Sequence, residues 1–147
     1  MKIFIDADGC PVVKITEKIA QQYGVPCVIV CDSAHAFNSE YSEVIVTATG
    51  ADSADYKLVN MLSADDIVIT QDYGLATMCL AKGARVLNQN GLIYNDSNID
   101  TLLLSRHLNR RARNAGVRIR GPKKRTVQQD IQFEQALKNI LKNNVSL

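Results

Sequence analysis

The chain has 147 residues, of which 46% are hydrophobic and 22% charged, with a formal net charge of +2. This composition is ordinary for a globular protein with one core. No apolar run approaches the roughly 20 residues that a membrane helix needs, so we expect no membrane partner. The first residues, with one lysine and two early aspartates, do not resemble a secretory signal peptide. We therefore expect a cytoplasmic protein whose four cysteines are reduced.

The charges are distributed unevenly along the chain. Residues 1–100 contain six Lys or Arg against thirteen Asp or Glu, a balance of −7. Residues 101–147 contain eleven against two, a balance of +9. An acidic body with a basic C-terminal part predicts a cation-binding site close to an anion-binding surface.

The first half of the chain opens with a short apolar run at Lys2–Ile5, which is typical of a buried central strand in a parallel sheet. A helix is predicted over Val12–Tyr23, because apolar residues recur there at helical spacing and Gly24 ends the pattern. The other predicted elements of this half are a buried strand at 25–30, a polar loop at 31–42 and a short strand at 44–47.

The second half continues the alternation of helices and strands. Its predicted elements are a helix from about Asp52 to Leu62, a strand at Ile67–Thr70, a helix at Leu75–Ala81, a strand at Ala84–Leu87 and a further short strand at Leu92–Tyr94. Because strands alternate with helices at this spacing, we predict an α/β fold with a doubly wound, mostly parallel central sheet.

The pattern changes in the C-terminal part. A long helix is predicted at Ile99–Ala115, followed by a basic loop at Val117–Arg125. Thr126-x-x-Gln129 has the spacing of a capping box and predicts a last helix. Its apolar face consists of Phe133, Leu137, Ile140 and Leu141. Because no interdomain linker is evident, we predict a single domain (1–147) with a basic helical extension over about 99–147.

Candidate catalytic residues follow the carboxyl ends of the strands, where open α/β sheets bind their ligands. Asp6 and Asp8 come directly after the first strand and would lie roughly 6.6 Å apart if the strand stays extended. Two such carboxylates repel each other unless a cation lies between them. The alternative is that Asp6 caps the next helix and Asp8 belongs to a turn. Asp65 and Asp66 precede a strand, so we predict them at the opposite end of the sheet.

Three further aspartates are candidates for the same site. Asp72 ends a later strand as Asp6 ends the first, or is a turn residue. Asp52 and Asp55 open a helix three residues apart, where capping or a first-turn role is the alternative. Asp55 lies on the apolar side of that helix, which favours function, because acids are rarely buried unpaired. We predict Asp6, Asp8, Asp55 and Asp72 as catalytic residues, and these four with Asp52 as ligands of Mg²⁺ or Mn²⁺, since oxygen-only ligation does not suit zinc.

The basic residues of the C-terminal part are candidate contacts for a phosphate backbone. Arg106, Arg110 and Arg113 lie at i, i+4 and i+7 and share one helix face. A run of charges is ordinarily a solvated surface, but next to an acidic pocket we favour nucleic-acid binding. The predicted nucleic-acid-binding residues are Arg106, Arg110, Arg113, Arg118, Arg120, Lys123, Lys124 and Arg125.

In combination, these motifs resemble a known family. An aspartate that ends the first strand, a helix-borne Asp55 and Thr70-x-Asp72 are similar to the PIN-like nuclease superfamily. More closely, four segments resemble the bacterial YaiI/YqxD family, and the similarity extends over nearly the whole chain. These segments are Asp6–Pro11, Gly50–Asp55, Thr70–Asp72 and Gly121–Pro122. The resemblance implies a PIN-like fold, a three-layer α/β/α arrangement, and an acidic site. Tyr73 and Gly74 follow here where many PIN nucleases carry a further acid.

Three functions are compatible with these features. The first is a metal-dependent nuclease that hydrolyses phosphodiester bonds, with RNA as the expected partner. The second is a haloacid-dehalogenase-type phosphatase, because Ile5–Gly9 resembles the nucleophile motif of that family, although no later acidic pair or phosphate-binding lysine is evident. The third is a nucleic-acid-binding protein with a vestigial acidic site. The sequence leaves open whether the chain forms a homo-oligomer, and assigns no role to His35 or His107.

Overall fold

A computed structural model of the protein describes residues 1–32, 37–48, 53–119, 121 and 123–145. Within these residues, strands and helices follow one another much as predicted, with shifts of a few residues at their ends. The elements are β1 (Ile3–Asp6), α1 (Val13–Gln22), β2 (Cys27–Asp32), β3 (Glu43–Thr47), α2 (Ser53–Met61), β4 (Ile67–Ile69), α3 (Tyr73–Ala81), β5 (Arg85–Leu87), α4 (Asp96–Asn114) and α5 (Val127–Val145). The short strand predicted at Leu92–Tyr94 is wrong, because Ile93 forms only an isolated bridge with Leu87.

The described strands form a parallel sheet with the order β3-β2-β1-β4-β5. β1 is central, and its Ile5 lies between Ile29 of β2 and Ile69 of β4. The chain runs outward from β1 to β3 and then crosses back to β4, so the direction of winding reverses between β1 and β4. In open α/β sheets, ligands bind in the crevice at the carboxyl ends of strands at such a reversal.

Helices cover both faces of the sheet. On one face, α1 and α5 bury Ile19 and Phe133 in a cluster with Ile5 of β1. On the opposite face, α2, α3 and the start of α4 pack in a second cluster that contains Phe4 and Ile99. Because alternate residues of a strand point to opposite faces, β1 contributes to both cores. The predicted three-layer α/β/α fold is confirmed.

The two long C-terminal helices differ in how much of their surface the core covers. α5 begins at the predicted capping box, in which Thr126 N–H donates to the Gln129 side chain and Gln129 N–H donates to the Thr126 hydroxyl. α4 begins three residues earlier than predicted, where Asn95 and Asn98 cap it reciprocally. Ile99 is the buried residue of α4, and the second half of this helix is mostly exposed. In the described part of the chain, no helix is long and apolar enough to span a bilayer.

Candidate active site

An open cavity of about 630 Å³ lies at the carboxyl edge of the sheet. The four predicted catalytic residues, Asp6, Asp8, Asp55 and Asp72, line it together with Asp32 and Arg106. The four aspartates come from the end of β1, from the first turn of α2 and from the N-terminus of α3, which follows β4. Buried parallel strands therefore bring together acids that are far apart in the sequence. The predicted metal ligand Asp52 lies outside the described residues.

Asp6 is held in place by hydrogen bonds that lead into the core. The Thr70 hydroxyl donates to Asp6 Oδ2 at 2.7 Å, and the buried Tyr94 hydroxyl donates to the Thr70 carbonyl at 3.2 Å. Burial raises the pKa of Asp6 to about 6; the Thr70 bond opposes this, and the charges of Asp72 and Asp8 add to it. The alternative that Asp6 caps α1 is wrong, because α1 begins at Val13, its N-cap residue is Val12, and no side chain caps it.

Asp8 connects the end of β1 to the end of β2. It precedes Gly9, whose φ is 73°, so the predicted turn is present as well. The backbone N–H of Asp32 donates to Asp8 Oδ2 at 2.9 Å. Asp32 was missed because the polar loop was predicted to begin at residue 31, whereas β2 continues to Asp32. A signal was available, since an apolar run followed by an aspartate ends β2 just as it ends β1.

Asp72 serves the fold and the cavity at the same time. Its Oδ1 accepts hydrogen bonds from the backbone N–H groups of Gly74 at 2.8 Å and Leu75 at 3.2 Å, which makes it the N-cap of α3. Its own N–H donates to the Thr70 hydroxyl at 3.0 Å. Arg106 Nη1 lies 4.0 Å from the same Oδ1. The turn role predicted as an alternative is therefore present, and Asp72 faces the cavity as well.

The predicted basic residues of α4 and the following segment lie on the surface. Those whose side chains are exposed are Arg106, Arg110, Arg113, Arg118, Lys123 and Lys124. Arg106 borders the acidic cavity, so the basic surface begins at its rim. Arg120 lies outside the described residues.

Arg125 differs from these residues. Its guanidinium donates to Asp130 Oδ1 at 2.7 Å, to Asn90 Oδ1 at 2.7 Å and to the Gln89 carbonyl at 2.6 Å. The bonds to Asn90 and Gln89 connect the basic loop to the segment that follows β5, and the bond to Asp130 connects it to α5. Because its donors are used inside the protein, we remove Arg125 from the predicted phosphate-binding set.

The opposite end of the sheet carries the other acidic pair. Asp66 is buried and accepts hydrogen bonds from the backbone N–H groups of Lys2 at 2.9 Å and Ser63 at 2.8 Å. Both bonds connect loops at the amino ends of the strands. The prediction that Asp65 and Asp66 lie away from the site is confirmed.

The sequence matches the family described as "Uncharacterized BCR, YaiI/YqxD family" over residues 4–143. The chain belongs to the YaiI/YqxD family. Similar relatives are UPF0178 proteins of Ruminiclostridium cellulolyticum, 52% identical over 93% of this chain and 90% of that protein, and of Exiguobacterium sibiricum, 47% identical over 96% of each chain. A crystal structure of a mutant of Rae1 (YacP) from Bacillus subtilis matches with a TM-score of 0.46 and 15% identity, covering 99% of this chain and 100% of that one.

In this YaiI/YqxD protein, the acids share a cavity without forming a complete coordination shell. Among the described residues, no three His, Cys, Asp or Glu side chains form a group that could hold one metal ion. The described carboxylates are therefore not arranged for the predicted direct ligation of one ion by three or four of them. Mg²⁺ usually keeps several waters and binds through one or two carboxylates, so an oxygen-lined cavity with an excess of acids suits it.

Proposed function

We propose that the protein is a nuclease dependent on Mg²⁺ or Mn²⁺ that hydrolyses phosphodiester bonds, with RNA as its substrate. The observation that carries the proposal is the placement of Asp6, Asp8, Asp55 and Asp72 around one cavity at the reversal of the sheet. Acids alone would repel a phosphodiester, so bringing the scissile phosphate between them for reaction requires a cation. The exposed arginines that start at the rim of the cavity supply attraction for the rest of the backbone.

The chain's own residues hold and orient the components of this reaction. One or two of the four aspartates would bind the ion directly and the others through its retained waters, with Asp52 as a further candidate ligand. Such an ion, when bound, activates water and stabilises negative charge on phosphate oxygens. Thr70 orients Asp6 through the 2.7 Å hydrogen bond. Arg106 lies at the rim, where its guanidinium can donate to a phosphate oxygen of the bound RNA.

The direct test is cleavage by the purified protein. Labelled RNA and single-stranded DNA are incubated with Mg²⁺, Mn²⁺ or EDTA, and the products are separated on a denaturing gel. We expect cleavage of RNA with either metal, weaker cleavage of single-stranded DNA, and none in EDTA. The activity must co-elute with the protein peak, which excludes a contaminating nuclease. RNA binding without cleavage under any metal would instead support the nucleic-acid-binding function.

A haloacid-dehalogenase-type phosphatase is the second candidate. The contact between Asp6 and the Thr70 hydroxyl from the end of the neighbouring strand favours it. Against it, the described lining of the cavity includes Arg106 and no lysine. A phosphatase would hydrolyse p-nitrophenyl phosphate and form a phosphoaspartate at Asp6 that mass spectrometry detects after acid quenching. The nuclease proposal predicts neither result.

A further inference from the structure

A second cavity, of about 230 Å³, opens beside the acidic one. Tyr73 and Arg106 border both cavities, so the second cavity, here called the groove, adjoins the acidic one at these two side chains. Apart from Tyr73, the lining of the groove comes from positions on α4 that recur every three or four residues and therefore share one side of the helix. These positions are Leu102, Ser105, Arg106, Asn109 and Arg113. The acidic cavity and the groove together place one aromatic ring between the carboxylates and Arg113.

The ring of Tyr73 is held in a defined orientation. Its centroid lies 6.1 Å from that of Tyr94, and the two planes are inclined by 72°. Tyr94 is only 2% exposed, and its hydroxyl is bonded to the Thr70 carbonyl. Such an edge-to-face contact with a buried ring restricts rotation. Tyr73 itself is partly exposed at the groove that it lines, so its ring is available to a ligand.

An accessible ring between acids and arginines matches the way proteins bind single-stranded nucleic acid. Bases stack on aromatic side chains while cationic side chains follow the phosphates. The groove beyond Tyr73 is smaller than the roughly 300–1,000 Å³ of cavities that take drug-sized ligands, so one base fits it better than several. A duplex keeps its bases stacked inside the helix, where they cannot reach such a ring.

We propose that Tyr73 and the groove-lining side of α4 form a subsite for one unpaired nucleobase, adjacent to the phosphodiester at the carboxylates. This inference rests on the proposed nuclease function. Tyr73 is then a residue that determines specificity, because it favours strands with an unpaired base at this position. Asn109 can both donate to and accept from a base edge, which accommodates different bases. The ordinary alternative is that Tyr73 serves only to pack against the core.

The test compares binding of single-stranded and duplex RNA of the same sequence, measured by fluorescence anisotropy in EDTA so that no cleavage occurs. Tyr73→Leu keeps apolar volume against Tyr94 but removes the ring, and should weaken single-strand binding roughly 5- to 150-fold. Tyr73→Phe should stay within about twofold of wild type, and duplex binding should not change for either variant. Tyr56→Leu is the matched control, because Tyr56 is 59% exposed and lines neither cavity.

The second measurement uses wild-type protein and RNA strands with an abasic site at each position in turn. An abasic site at one position should weaken binding to the wild-type protein. The Tyr73→Leu variant should bind that strand and the intact strand equally. If Tyr73→Leu matches the Tyr56 control, or weakens duplex binding equally, the subsite is disproved. If wild type cuts RNA but no abasic site matters, the subsite is wrong and the nuclease function stands. If wild type neither binds nor cuts RNA, both proposals fail.

Discussion

The acidic cavity and the exposed second half of α4 differ in how the fold holds their charges. Asp6 lies at the end of a buried strand, and hydrogen bonds through Thr70 connect it to the core. By contrast, α4 beyond Ile99 is so loosely covered that even Leu104 and Leu108 are 56% and 52% exposed. Burial and the neighbouring acids destabilise the charged form of Asp6, whereas arginines in solvent pay no such cost. Under the proposed nuclease function, this contrast assigns the chemistry to the sheet edge, and to the helix a salt-sensitive attraction for the substrate.

The largest effect is expected from removing one charge in the cavity. Asp6→Asn keeps an acceptor for the Thr70 hydroxyl but weakens cation binding and water activation. RNA cleavage should fall by roughly 10²- to 10⁴-fold in single-turnover assays. RNA affinity in EDTA should hold or improve, because the basic surface is unchanged and repulsion of phosphate is reduced.

The matched control for this prediction is Asp65→Asn. Asp65 is exposed at the opposite end of the sheet, and its φ of 72° is a conformation that asparagine tolerates. This variant should cut RNA at the wild-type rate. Equal losses in the two variants would show that the loss is not specific to the acidic cavity, and failure of Asp6→Asn to fold would show that Asp6 has a structural role.

The next largest effect concerns the basic surface of α4 and the segment that follows it. Reversing the charges of Arg110, Arg113 and Lys124 should weaken RNA binding. It should also reduce the slope of log affinity against log salt by about 0.7–0.9 per lost phosphate contact. The slope is measured by anisotropy titrations at several salt concentrations. The same reversal of exposed lysines elsewhere, Lys14, Lys18 and Lys82, is the control. An unchanged slope in the α4 variant would show that this surface is merely solvated.

A smaller effect separates Arg125 from the other cations. Arg125→Gln removes its bonds to Asp130, Asn90 and the Gln89 carbonyl. We expect the free energy of unfolding in urea to fall by about 1–2 kcal/mol, with little change in the salt dependence of RNA binding. Lys123→Gln, at an exposed position nearby, should show no loss of stability. A lower salt slope with unchanged stability in Arg125→Gln would return Arg125 to the phosphate-binding set.

The smallest effect is a pH dependence of the metal-free protein. Burial raises the pKa of Asp6 from an ordinary value of 3.8 to about 6. Between these values the folded state holds more protons than the unfolded state, so the free energy of unfolding falls as pH rises through this range. Asp6→Asn should remove about 1 kcal/mol of that fall, after allowance for solvent screening. Urea unfolding of both proteins in EDTA measures it, and parallel pH profiles would contradict the raised pKa.

Much of the fold was predictable because it depends on local pattern. An apolar run that stops at an aspartate placed Asp6 at the end of a buried strand, and helical spacing placed Asp55 on the inner side of α2. The capping box at Thr126 placed the start of α5. Parallel strands end at one edge of a sheet, so the carboxylates could be assigned to a common site from the sequence alone.

Only the tertiary structure decided which of these residues meet and which perform another role. Asp32 reaches Asp8 across 24 residues of sequence, Thr70 reaches Asp6 across 64, and Arg125 reaches Asn90 across 35. Periodicity reports only on neighbours within a turn or a strand, and it contains no information on strand order or loop closure. The sequence therefore determined the type of each charge and the element that carries it. Packing determined that Arg125 is a structural residue.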